Sequence, residues 1–310
     1  MSRPDSTAAA LTDAGLDVTL GAPLAKRVYW RAGGPADVLV TANRVQDLVH
    51  IQQIASEHGV PVMVLGKGSN LLVSDSGIRG IVVELKGELA DTVASEDSPP
   101  RVVAGAGLPL VVLLSRARSN GWAGLACFAG IPGTVGGAVT MNAGSTMGET
   151  AGCLHSVQVV MPDGTVTSLT ADALRMSYRT THLPDGAIIA TATLQCTDAD
   201  ADAEQESIRD FLGHRKATQP LHLPSCGSTF RNPDGDHAGR LIEVSGLKGF
   251  RIGGASVSEK HANFIVNEGE CSATDIRRVV EHVQRAVHEQ HGVMLQREVH
   301  FVGDWSDHEA

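Results

Sequence analysis

Apolar residues along this chain recur with two periods, and the places where one period gives way to the other mark out its elements. From Arg31 the text RAGGPADVLV predicts a Gly-Gly-Pro turn and then a strand. Residues 45–58 carry apolar side chains at Val45, Leu48, Val49, Ile51, Ile54 and Ala55, a mostly helical spacing that Gly59 stops. Two apolar runs follow, 60–65 and 71–74, separated by the loop Gly66-Lys67-Gly68-Ser69-Asn70, and a turn at 74–77 leads into a third run at 81–85. A helix is predicted over 109–120, with Pro109 near its start and Gly121 as its stop. Residues 157–169 read as a hairpin around Asp163-Gly164, and 187–194 as a strand. Residues 1–20 read as a loose leader. Five acids among the nine residues 198–206 read as a solvated connector, which places a domain boundary there. Beyond it come a short helix through Phe211, then a helix opened by Ser272 and Asp275 with Ile276, Val279, Val280, Val283 and Val287 as its buried stripe. A final strand, 293–302, carries Glu298. The order of elements is α+β, without regular β-α repeats.

One stretch breaks both periods. Between Gly124 and Gly144, six of 21 residues are glycine and none is Lys, Arg, Asp or Glu. Glycine at that density weakens helix and strand alike, and is kept where backbone approaches a ligand closely or takes dihedrals that a Cβ forbids. The composition predicts a large, flat, partly apolar cofactor met by main-chain N–H groups. The loop 66–70 is a second candidate. It fails as a dinucleotide fingerprint, because Leu71 stands where a third glycine belongs and a strand follows instead of a helix. It reads either as a nest of N–H groups for a pyrophosphate or as a plain strand-strand turn.

Composition narrows the partners. The chain has 310 residues, enough for two domains, and its net charge of −10 without a basic block argues against nucleic acid or a membrane surface. No apolar run reaches the roughly 18 residues of a membrane span, and the polar, acidic N-terminus does not read as a signal peptide. Five scattered cysteines with no Cys-x-x-Cys predict reduced thiols in a cytoplasmic protein. Thirteen histidines include no His-Glu-x-x-His, so no metal is expected.

The blocks GGPAD (33–37), GKGSNLLVSDSG (66–77), AGIPGTVGGAVTMNAG (129–144), SYR (177–179), GSTFRNP (227–233), AGRLIEVSGLKGFRIGGASVSEKHANFIVN (238–267) and LQREVHFVG (295–303) resemble, in collinear order, the UDP-N-acetylenolpyruvoylglucosamine reductase (MurB) family. The short spacing from Ala190 to Ser228 matches the type that lacks a substrate-capping loop. The resemblance implies an FAD-binding domain of the vanillyl-alcohol-oxidase (PCMH-like) type over 21–200, made of two α+β subdomains at about 21–87 and 88–200. A smaller α+β substrate-binding domain over 206–310 would follow, with its last strand returning to the active site. It implies non-covalent FAD and reduction, with NADPH, of the enolpyruvyl ether of UDP-N-acetylglucosamine to UDP-N-acetylmuramate for peptidoglycan precursor synthesis. A monomer is expected. An oxidase of the same fold and a non-catalytic flavin or nucleotide-sugar binder are the competing readings, and the second-half blocks argue against both.

The resemblance assigns residues by position. Gly66, Lys67, Gly68, Ser69, Asn70 and Leu71 would hold the FAD pyrophosphate. Gly130, Ile131, Pro132, Gly133, Gly136, Gly137, Ala138, Asn142, Ala143 and Gly144 would line the rest of the cofactor. Ser228 would donate the proton that completes reduction of the alkene, Arg179 would neutralise the substrate carboxylate and its enolate form, and Glu298 would bond to that carboxylate or relay a proton. Tyr178, Arg231, Asn232, Arg240, Lys260, His261 and Asn263 are expected at the diphosphate, sugar or uracil. Cys226, two residues before Ser228, reads as a passive small hydrophobe in preference to a reactive thiol.

Overall fold

A computed structural model of the chain describes residues 2–306. The chain divides into two compact units: one holds the residues through Gly21 together with Asp37–Lys67 and Gly80–Gly213, the other Ala22–Ala36, Gly68–Arg79 and the chain from His214 onward. This differs from a division into contiguous halves at 198–206. Two segments from the first eighty residues belong with the C-terminal part, because the strand Leu71–Val73 pairs in parallel with His300–Val302. A pairing that distant leaves no periodicity in the local sequence.

Two sheets appear with the first unit. One runs in the order Asp17–Pro23, Pro35–Ala42, Ile78–Leu85, Val62–Val64, and Val62–Val64 lies parallel to Ile81–Val83. The other is antiparallel, in the order Val166–Thr170, Leu154–Val160, Ile188–Gln195, Arg101–Gly105, Thr92–Ala94. The helix Val45–His58 ends on Gly59 at φ +59°, as its spacing predicts, and buries Leu48, Ile51 and Ala55. The helix Leu110–Asn120 likewise ends on Gly121, at φ +68°. Both C-caps take the left-handed conformation that glycine adopts without a Cβ penalty.

Two expectations are corrected here. Residues 3–13 are no leader but a helix, Arg3–Asp13: Ser2 accepts from Asp5 N while Asp5 accepts from Ser2 N at 3.1 Å, a reciprocal cap. Thr7, Ala8 and Leu11 are buried and the helix packs on Val45–His58. Burying a side chain such as Leu11 contributes roughly 1.5–3 kcal/mol. The acidic stretch is no plain connector either. Asp200 accepts from the N–H groups of Asp202 (2.9 Å) and Ala203 (3.2 Å) at the head of a helix, Ala201–Thr218, longer than the short one predicted. Acids at a helix N-terminus are stabilised by its dipole.

The second unit packs the helix Ala273–His291 on a three-stranded sheet, Arg251–Ile252, Ala255–Val257 and Ile265–Asn267. The predicted stripe is fully buried, and Gly292 ends the helix. Asp75 accepts from Ala273 N and Thr274 N, each at 2.9 Å, placing a carboxylate on that helix N-terminus. The predicted last strand is regular only over His300–Val302, and the residues before it run as an irregular segment with a single bridge, Phe230 to Arg297.

Candidate active site

In the first unit the glycine-rich stretch folds as a 3-10 turn (Ala126–Phe128), a bend at Gly130 (φ +68°), and a short helix, Val135–Thr140, whose N-cap Thr134 accepts from Gly137 N. The N–H groups of Val135 and Gly136 donate to Leu108 O (3.0 Å) and Ala106 O (2.8 Å), and that of Ile131 to Phe128 O (3.2 Å). At these positions the expected main-chain donors are engaged within the protein, because the chain here packs against its own backbone. What glycine supplies is closeness: a Cβ on Gly136 would stand 2.8 Å from Ala106 Cβ, and one on Gly66 2.7 Å from Thr134 Oγ1. Pro132 and Gly137 are exposed, Gly133 is half-buried and Ala138 is buried.

The loop 66–71 is different. Among the described residues the N–H groups of Gly66, Lys67, Gly68 and Ser69 have no acceptor. Gly68 takes φ +59° and is packed so closely on Val28 that a Cβ would lie 2.6 Å from Val28 Cγ1. Asn70 donates through Nδ2 to Glu298 O at 3.0 Å.

Arg179 occupies a tight turn in which Ser177 and Thr180 exchange both main-chain hydrogen bonds, and its φ is +55°. Its Nη2 donates to Gly144 O at 2.8 Å, and its guanidinium lies 4.9 Å from the ring centroid of the exposed Tyr178. Asn142 is buried, and its side chain is taken up within the protein. Nδ2 donates to Glu149 Oε2 and Ser177 O at 2.9 Å each, and Oδ1 accepts from Ala151 N at 2.9 Å. Expected as a cofactor contact, Asn142 bonds through its side chain to the turn that carries Arg179. Ala143 accepts from Thr150 N and Oγ1.

In the second unit Ser228 is half-buried and opens a segment running beside Glu298: Glu298 N donates to Thr229 O at 2.8 Å, and Arg231 N to Gln296 O at 2.9 Å. Cys226 is buried, its Sγ donating to Gly68 O (3.6 Å) and Leu71 O (3.5 Å), and burial pushes the thiol up to about 12, as suits a passive hydrophobe.

The expected substrate contacts are placed unevenly. Arg240 is exposed and forks onto Asp236, with Nε donating to Oδ1 at 2.7 Å; that ion pair holds the Asp236 carboxyl well below the usual range. Lys260 Nζ donates to Lys216 O at 2.8 Å. Asn232 Oδ1 accepts from Ala238 N at 3.1 Å. His261 is half-buried with its ring tilted 61° to that of Phe264, centroids 4.8 Å apart, and desolvation lowers its pKa. His300 is lowered by burial first and then by the charges of Arg231 and Arg297. Asn263 is buried, its amide bonded to the main chain of Phe230. The residue that reading by sequence missed is Glu204, which accepts from Gly124 N (2.7 Å) and Leu125 N (3.3 Å) at the start of the glycine-rich stretch.

Residues 36–170 match the model of an FAD binding domain, and residues 219–302 match that of the C-terminal domain of UDP-N-acetylenolpyruvoylglucosamine reductase. A UDP-N-acetylenolpyruvoylglucosamine reductase of Myxococcus xanthus is 43% identical over 292 residues, 94% of each chain. The chain belongs to the UDP-N-acetylenolpyruvoylglucosamine reductase family. A family member from Halalkalibacterium halodurans is 40% identical over 290 residues, covering 93% of this chain and 95% of its own. The crystal structure of the reductase from Thermus caldophilus superposes with a TM-score of 0.79 at 34% identity, over 93% of this chain and 98% of that one.

The residues present fit the FAD that this family binds. Successive N–H groups at 66–69 suit a pyrophosphate, and the uncharged stretch 130–144 suits an apolar ring system. Among the described residues no group of three or more His, Cys, Asp or Glu is placed to hold a metal ion, and no helix is long and apolar enough to cross a membrane.

Proposed function

We propose that this chain reduces the enolpyruvyl ether of UDP-N-acetylglucosamine to UDP-N-acetylmuramate, with FAD held non-covalently and NADPH as reductant, in peptidoglycan precursor synthesis. FAD, when bound, would supply the hydride chemistry for the terminal alkene carbon. Addition there drives negative charge into an enolate conjugated with the substrate carboxylate, so a cation and donors must already be aimed at it. Arg179 supplies the cation, and its guanidinium fork is held by Gly144 O. Ser228 protonates the adjacent carbon. A serine hydroxyl is a feeble acid, and only a fixed approach makes the transfer fast. Glu298 hydrogen-bonds the carboxylate or relays the proton back to Ser228. Lys67 and the N–H groups of 66–69 hold the FAD pyrophosphate, and Tyr178, Arg231, Asn232, Arg240, Lys260 and His261 bind the nucleotide sugar. The protein works as a monomer in the cytoplasm.

The observation that carries this reading is the hydrogen bond from Glu298 N to Thr229 O, which ties the segments of two proposed catalytic residues together in a chain of this family. The test is product formation by purified, flavin-loaded protein given NADPH and the enolpyruvyl ether: a gain of two hydrogens in the nucleotide sugar, matched to NADPH consumed, supports it. NADPH consumption that goes only to oxygen contradicts it.

A further inference from the structure

Asn263 stands in a block expected to touch substrate, yet its side chain is buried and faces another part of the chain. Oδ1 accepts from Phe230 N at 3.0 Å and Nδ2 donates to Phe230 O at 2.8 Å, so one carboxamide satisfies both main-chain groups of one residue. The Asn263 carbonyl accepts from Thr229 N at 2.8 Å. The other flank of the same segment is bonded to the segment of Glu298, through Glu298 N to Thr229 O at 2.8 Å and Arg231 N to Gln296 O at 2.9 Å. Asn70 Nδ2 in turn holds Glu298 O at 3.0 Å.

Ser228 thus opens a segment with the bonded, irregular Glu298 segment on one side and a buried carboxamide on the other. Buried main-chain groups require partners. Among the described residues no main-chain neighbour bonds both polar groups of Phe230 on the Asn263 side, and a carboxamide, with one donor face and one acceptor, has the complement they need. Aspartate presents no donor when ionised, and leucine presents neither group.

We propose that Asn263 is a positioning residue: through Phe230 and Thr229 it sets Ser228 in register with Glu298, and it does not bind the nucleotide sugar. The inference rests on the proton-donor role proposed for Ser228. A weak acid delivering a proton to carbon depends on approach distance more than any other group in the site, so Asn263 acts on that step and leaves the reductive half-reaction alone.

The test is anaerobic stopped flow on flavin-loaded wild type, Asn263→Ala, Ser228→Ala and the double variant. With Asn263→Ala, NADPH bleaches the flavin at the wild-type rate, while reoxidation by saturating enolpyruvyl ether slows by about 100-fold, the cost of an ångström-scale misplacement. The half-saturating concentration of that substrate is unchanged. In the double variant the loss is no greater than in Ser228→Ala alone, because both changes disable one device. Losses that multiply, or a raised half-saturating concentration with an unchanged limiting rate, overturn the inference. Where Asn263→Ala loses flavin, the isosteric Asn263→Asp is read the same way, since it keeps the acceptor for Phe230 N and sets oxygen against Phe230 O. Loss of flavin from both overturns the inference. Wild-type reoxidation in Ser228→Ala counts against the proton-donor role itself, whereas a loss there with none in Asn263→Ala counts against Asn263 alone.

Discussion

The carboxamide of Asn142 donates to Ser177 O at 2.9 Å, two residues before Arg179. The same nitrogen donates to Glu149, and the oxygen accepts from Ala151 N. Asn142→Ala removes three part-buried hydrogen bonds, at a cost of about 0.5–1.5 kcal/mol each. Thermal unfolding of the variant is expected to shift down accordingly. The strained turn at Arg179 loosens, so turnover falls further than flavin content does. A variant that sheds flavin while its remaining holoenzyme turns over normally would make Asn142 a cofactor contact after all.

Arg179 holds Gly144 O with one arm of its fork. Lysine replaces a planar, multidentate donor with a point charge, so Arg179→Lys is expected to keep its flavin and lose about 100-fold or more in turnover, the scale of one oxyanion donor. Absorbance of the purified variant gives the flavin content, and steady-state NADPH consumption gives the rate. Apoprotein on purification would assign Arg179 to the cofactor.

Glu204 accepts two N–H groups at the head of the glycine-rich stretch, Gly124 at 2.7 Å and Leu125 at 3.3 Å. Glu204→Ala orphans both, and a destabilisation of about 1–3 kcal/mol is expected. The ratio of flavin to protein after gel filtration should fall with it. An unchanged unfolding midpoint would return the acidic stretch to being a solvated face.

Burial raises the thiols of Cys196 to about 11 and of Cys226 and Cys271 to about 12, from an ordinary 9.0. Below pH 9 each is neutral in folded and unfolded chain alike. Between 9 and the folded values the unfolded chain ionises first, so folding stability is full below pH 9 and is lost as pH rises toward 12. Urea midpoints measured from pH 7 to 10.5 should fall only at the alkaline end, and Cys226→Ala should flatten that limb. A midpoint that rises above pH 9 would contradict the burial.

Local signals were legible and distant ones were not. The helix Val45–His58 and its glycine stop follow from spacing within fourteen residues, and so does the capping box at Ser272. The helix Arg3–Asp13 was hidden because its polar, alanine-rich text has a weak apolar stripe and is fixed by packing on another helix. The acids at 198–206 carry the same charge whether solvated or capping, and only the fold puts Glu204 on Gly124 N. The blocks around Asn142 and Asn263 point to both as site residues. Which groups their carboxamides meet depends on Ser177 and Phe230, partners 35 and 33 residues away that no local pattern announces.

The central claim is that the Ser228 hydroxyl delivers the proton after hydride has been transferred. Stopped flow of flavin-loaded Ser228→Ala measures it most directly. Bleaching by NADPH should keep its wild-type rate, while reoxidation by the enolpyruvyl ether slows by about 100- to 10,000-fold, the usual worth of a general acid. Equal slowing of both half-reactions, or of neither, would contradict it.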